Sequence, residues 1–151
     1  MIDFDPNDKN VTVEEIESLM EIYDKEGVFS TRFKYRKNFY THFIRLISSG
    51  HVMTFREDNK LIGFCSWLMT DKQGKRDINK AKWLIPENID DGSILYIDTC
   101  LTTHPNMVNR IKDNLRFRFN GKVEEVYWFN ISKGKVFQLK LKGEKLCLTA
   151  A

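Results

Sequence analysis

The apolar positions change period along the chain, and the changes divide it into elements. From Thr12 the pattern is helical. Ile16, Leu19, Met20 and Tyr23 form one stripe, and Thr12 with Glu15 has capping-box spacing, so a first helix is predicted over 12–25, stopped by Gly27. A second is predicted over about 31–48, carrying Phe33, Phe39, Tyr40, Phe43, Ile44 and Ile47 and ending before Gly50. The period then shortens. Residues 51–56 and 61–69 read as two strands joined by the turn residues Glu57, Asp58, Asn59 and Lys60. Ile62, Phe64 and Leu68 fall on one face of the second strand and Cys65, Trp67 and Met69 on the other, which marks it as central. Residues 70–91 show no period and read as a charged surface excursion, with 83–86 packing back. Residues 123–131 read as a further strand, Ser132, Lys133 and Gly134 as a turn, and Phe137, Leu139 and Leu141 as the inner face of a half-exposed last strand. Ala150 and Ala151 read as a frayed tail.

The stretch 93–119 holds the candidate chemistry. Ile94, Leu95, Tyr96, Ile97, Cys100 and Leu101 leave no polar face, yet Asp98 stands among them. A buried carboxylate must be hydrogen-bonded, paired with a cation or held with a raised pKa, and the last is one way to make a general base or acid. The plainer reading is a loop cap or an arginine partner. After the strand, Thr103 or His104 can cap a helix that has Pro105 at its first position. Met107, Val108, Ile111 and Leu115 then face the sheet, and Arg110, Lys112 and Arg116 are left outside.

Composition narrows the setting. The 151 residues make one predicted domain over 1–151. No apolar run reaches the roughly 18 to 20 residues of a membrane-crossing helix. With an acidic, polar start and three scattered cysteines lacking metal-ligand spacing, the reading is a cytoplasmic protein without a metal site. Net charge is +3 but uneven: residues 1–26 carry nine acids against Lys9 and Lys25, while 27–49 carry Arg32, Lys34, Arg36, Lys37 and Arg45 and no acid. More basic residues follow in 110–122 and 133–145. Such segregation suggests an acidic partner, either a protein or nucleic acid, or simply a solvated lysine face.

The element order implies an α+β domain with one twisted mixed sheet, two helices at the N-terminus and one after the central strand. That order resembles the GNAT-type N-acyltransferase fold. Where GNAT enzymes cradle the coenzyme A pyrophosphate in a glycine-rich loop, this chain has Leu101, Thr102, Thr103, His104, Pro105 and Asn106, with no glycine. A narrower resemblance accommodates the difference. Gly63-Phe64-Cys65-Ser66-Trp67 and Tyr96-Ile97-Asp98 look like two strands of the RTX toxin-activating lysine acyltransferases, and residues 126–143, with Gly134-Lys135-Val136, are similar to that family's C-terminal end. The family takes its acyl group from acyl carrier protein, so the resemblance implies transfer to a protein lysine or other amine, with Asp98 catalytic and no tightly bound cofactor. Acyl carrier protein is then expected as donor ahead of acyl-CoA. Thr103, Arg110, Lys112 and Arg116 are the candidates for holding it.

The family pairs its aspartate with a histidine placed before the Cys-Ser-Trp strand, and similar spacing here reaches Ser30 and Thr31. His42, on the second helix, reads as a packing or surface residue. His51 and His104 are the candidates for reaching Asp98, and Ser66 could complete a Ser/His/Asp set, although no Gly-x-Ser-x-Gly elbow surrounds it. The alternative from another class is a catalytically degenerate module of this fold, of phage or mobile-element type, that docks on a host protein or nucleic acid.

Overall fold

The computed structural model describes residues 1–23, 36–81, 89, 92–130, 135–142 and 145–150. Seven strands form one sheet in chain order: β1 (Ile2–Asp5), β2 (Val52–Glu57), β3 (Lys60–Thr70), β4 (Ile94–Leu101), β5 (Glu125–Asn130), β6 (Lys135–Lys142) and β7 (Lys145–Ala150). Every neighbouring pair is antiparallel except β4 and β5, which are parallel and joined by a helical crossover. The helices are α1 (Val13–Tyr23), α2 (Arg36–Ser48), α3 (Lys72–Ala81) and α4 (Pro105–Phe119). Among the described residues no helix is long and apolar enough to cross a membrane.

The sheet has a core on each face. On one, α1 and α2 bring Ile16, Leu19, Phe43 and Leu46 onto Phe64, Leu68, Ile94 and Tyr96. On the other, α4 brings Met107, Ile111, Leu115 and Phe119 onto Met53, Cys65, Trp67 and Leu95. Gly63 lets α4 approach: a Cβ there would lie 2.8 Å from the Met107 sulfur and 3.1 Å from the Leu101 carbonyl oxygen. The predicted hairpin turn is present, with Asp58 and Asn59 both at positive φ between β2 and β3, as a two-residue turn matching strand twist requires.

Several expectations are corrected. The acidic start is an edge strand: Ile2 and Phe4 turn inward, and Phe4 stacks on Phe55 at 4.8 Å. Residues 72–81 form α3, opened by the Asp71 carboxylate accepting from the Gly74 amide at 2.8 Å; with only Ile78 and Ala81 apolar, it offers a periodicity reading too little to detect. The strand carrying Phe137, Leu139 and Leu141 is not the last: residues 145–150 form β7 beside it, and Ala150, read as tail, is paired opposite Leu139. Ile62 packs on the α4 side instead of with Phe64, because it is the extra residue where Phe55 pairs with Gly63 and Arg56 with Leu61. Ile44 and Val108, expected on buried stripes, are exposed. The predicted residues 24–25, Gly27, 31–35, 83–86, 131–134 and Ala151 lie outside the described residues.

The capping box of α1 is complete: the Glu15 amide donates to Thr12 Oγ1 at 3.1 Å, and the Thr12 amide donates to Glu15 Oε1 at 3.1 Å. Glu15 also accepts from Arg56, and Asp8 accepts from Thr54 and from the Asn10 and Val11 amides. The Arg56 hydrogen bond, against partial burial, holds the Glu15 carboxyl below its ordinary value. Burial alone would raise Asp8, but its hydrogen bonds and Arg56 bring it below the ordinary value too. A lowered folded pKa means stabilisation that is present above the unfolded pKa and lost as pH falls through the folded one. Glu15→Gln is therefore expected to lower stability at pH 7 and to flatten the loss between about pH 5 and pH 2, checked by urea unfolding across that range.

Candidate active site

The buried stripe of α2 runs Phe39, His42, Phe43 and Leu46, so helical spacing aims an imidazole at the sheet along with its apolar neighbours. His42 is 6% exposed and Asp98 3%. They meet: His42 Nε2 lies 2.7 Å from Asp98 Oδ2. The His42 ring is fixed from the side by Phe43, edge-on at 4.9 Å between centroids.

Asp98 reaches this position through a β-bulge. Ser66 pairs with Thr99 and Trp67 with Ile97, so Asp98 is the extra residue on β4. The irregularity puts Asp98 and Thr99 together opposite Ser66. Both hydroxyls donate to Asp98 Oδ2, each at 3.1 Å. Beyond the bulge, Cys100 falls opposite Cys65 on the α4 side. A hydrogen bond with Cys100, full burial and the nearby Asp98 push the Cys65 thiol well up, so it stays protonated and is a poor nucleophile.

The ladder between β4 and β5 ends at the same place. It runs from Ile94 opposite Glu125 to Ile97 opposite Trp128. Past it, β4 continues to Leu101 and β5 to Asn130 without pairing to each other, β5 being paired along its other edge with β6 throughout. The β4–β5 ladder thus ends beside Asp98, toward the carboxyl ends of the parallel strands, the position at which ligands bind α/β sheets.

Of the candidates named from sequence, Asp98 and Ser66 come together. His51 does not join them; it stacks on Trp67 at 4.0 Å, and Trp67 belongs to the core on the opposite face. His104 is exposed at the N-cap of α4, with no side-chain capping bond. Thr103 donates to the Ile62 carbonyl at 2.9 Å, tying the loop before α4 to β3. Arg110, Lys112 and Arg116 lie along α4, across the sheet from His42; Arg110 sits over the Phe4 ring at 4.8 Å and Arg116 lies 3.6 Å from Asp113. Ser66 donates to the carboxylate and not to an imidazole, which is not the order of a nucleophilic triad. His42 was the residue missed. The available signal was its place on the stripe with Phe39, Phe43 and Leu46, the face that must cover the sheet holding Asp98.

A buried histidine on a carboxylate is the arrangement of a general base and its orienting group. With Asp98 ionised, Nε2 is the donor and a neutral imidazole carries its lone pair on Nδ1. Among the described residues no group of three or more His, Cys, Asp or Glu side chains is arranged to hold a metal ion.

No protein-family model matches the chain, and no curated protein matches it. Among solved structures it is similar to the loading GNATL domain of CurA from Lyngbya majuscula, with a TM-score of 0.56 at 10% identity. That match covers 86% of this chain but only 65% of that one. It is also similar, at a TM-score of 0.47 and 15% identity, to a Staphylococcus aureus MU50 protein assigned as an acetyltransferase, over 85% of this chain and 78% of that one. At these identities the likeness concerns architecture alone. The chain has an α+β GNAT-like acyltransferase fold, with the buried His42–Asp98 pair beside the end of its parallel β4–β5 ladder.

Proposed function

We propose that the protein is an N-acyltransferase that moves an acyl group from a thioester donor to an amine, a protein lysine being the expected acceptor. The observation that supports it is the His42–Asp98 pair beside the end of the β4–β5 ladder. The amine nitrogen attacks the thioester carbonyl carbon and His42 takes the proton it sheds. The C–S bond then breaks, and the imidazolium returns that proton to the departing thiolate, so one amide and one thiol replace one amine and one thioester. Asp98 stabilises the imidazolium during the step and keeps the ring oriented.

The donor is assigned to acyl carrier protein ahead of acyl-CoA. The segment before α4 has no glycine, and Pro105 has no N–H to offer a pyrophosphate. Exposed Arg110 and Arg116 give an acidic carrier a complementary surface. The similar CurA structure is itself named a loading domain.

The test mixes the protein with acyl-loaded carrier or acyl-CoA and the surrogate acceptor Nα-acetyl-lysine amide, and follows amide formation by mass spectrometry. Amide formation above the protein-free blank, faster from the carrier, is expected; no consumption of either thioester would sink the transferase and favour the docking module. Coenzyme A at millimolar concentration is expected to leave the melting temperature unchanged, and a clear rise would overturn the donor assignment.

A further inference from the structure

We infer that Ser66 and Thr99 are positioning residues that keep Asp98 ionised and turned toward His42. Two hydroxyls donate to the single oxygen Oδ2, Ser66 Oγ at 3.1 Å and Thr99 Oγ1 at 3.1 Å, and His42 Nε2 lies 2.7 Å from the same oxygen, donating to it when Asp98 is ionised. An ionised oxygen accepts from all three at once; a protonated Oδ2 would turn its own O–H to His42 and become a much weaker acceptor for the two hydroxyls. Hydrogen bonds to the charged form favour that form.

Packing does not explain the two hydroxyls. Ser66 and Thr99 are both 0% exposed, in a region where alanine and valine would fill the same space, and a buried hydroxyl without a partner is unfavourable. Their shared target is the carboxylate, which Ser66 Oγ meets at 3.1 Å, closer than its other acceptor, the Thr99 carbonyl at 3.4 Å. The bulge matters here as well, since it turns Asp98 and Thr99 together toward Ser66. Thr99 is β-branched, so its χ1 is restricted and its hydroxyl stays on the target.

Several elements bring titratable groups toward Asp98. α2 brings His42, and β3 brings Cys65, a neutral thiol that the Asp98 charge itself helps push up. β4 brings Cys100 on the far side of the sheet, and Tyr96 and Tyr127 stand as stacked phenols on the α1 and α2 side of β4 and β5.

The inference deepens the transferase reading and rests on it only for the link between charge state and rate, so its test reads the charge state directly. In the full chain labelled with carbon-13, the Asp98 carboxyl resonance is identified by its loss in Asp98→Asn and followed against pH. Ser66→Ala and Thr99→Val are each expected to raise its titration midpoint by about one pH unit. Thr99→Ser, which keeps the hydroxyl, is expected to stay near the wild-type value. Where transfer is measurable, the acid limb of kcat/KM moves upward with the resonance. Wild-type midpoints in Ser66→Ala and Thr99→Val would overturn the inference, as would Thr99→Ser shifting as far as Thr99→Val, since lost packing would then be the cause. If Ser66→Ala does not fold, the comparison of Thr99→Val with Thr99→Ser decides by itself. A protein inactive in every transfer assay would still answer, so the two readings fail separately.

Discussion

Asp98→Asn is expected to fold and to lose acyl transfer by about 10²–10⁴-fold, the range over which a positioned proton acceptor contributes. Asparagine fills the same space, but its amide can donate to His42 Nε2 where the carboxylate could only accept. That reverses the tautomer: the lone pair of the neutral ring turns toward the amide, and no anion remains to stabilise the imidazolium. His42→Gln is expected to lose a similar factor. Because the two residues act as one unit, the double substitution should be little worse than either single one. Single-turnover transfer from acyl carrier protein measures this, with circular dichroism confirming the fold. Wild-type rates in Asp98→Asn would remove the pair from the mechanism.

The largest loss of stability is expected for Phe43→Ala, about 3–5 kcal/mol, as for other large aromatics deleted from a packed interior. Phe43 is fully buried, with ring centroids 4.9 Å from Phe39 and 6.0 Å from Phe64, so it joins α2 to β3. It also braces His42, its neighbour in sequence and in space. The cavity should therefore slow transfer even where the variant stays folded. Ile44→Ala, one residue further along but 54% exposed, is expected to cost under about 1 kcal/mol. Urea unfolding of both proteins gives the comparison, and equal losses would contradict the packing described.

Asp98 was legible because a carboxylate inside an unbroken apolar run conflicts with its setting, and that conflict is local to the sequence. His42 was not, for the opposite reason. Set among Phe39, Phe43 and Leu46, it keeps helical time with the stripe, and only the fold reveals that the stripe faces an acid on a strand 56 residues away. The bulge was hidden too, since it is a property of the register between β3 and β4 and neither strand alone encodes it. Among the elements, α1, α2, the β2–β3 hairpin, β4 and α4 followed from periodicity and punctuation. The short edge strand β1, the polar helix α3 and the final strand β7 did not, because β1 and β7 are held by their pairing with β2 and β6, while α3 opens on Asp71 and has only Ile78 and Ala81 as apolar residues.

Asp98 is the residue by which β4 exceeds its neighbour in count, so an engineer who trimmed β4 to a regular ladder would delete the acid itself. Thermostabilising redesign of this protein therefore meets a boundary inside its own sheet: smoothing the central strand and keeping the proton acceptor oriented are incompatible goals. Gains in robustness should be sought at the edges instead, in β1 or along the solvent side of α3, away from the β3–β4 bulge.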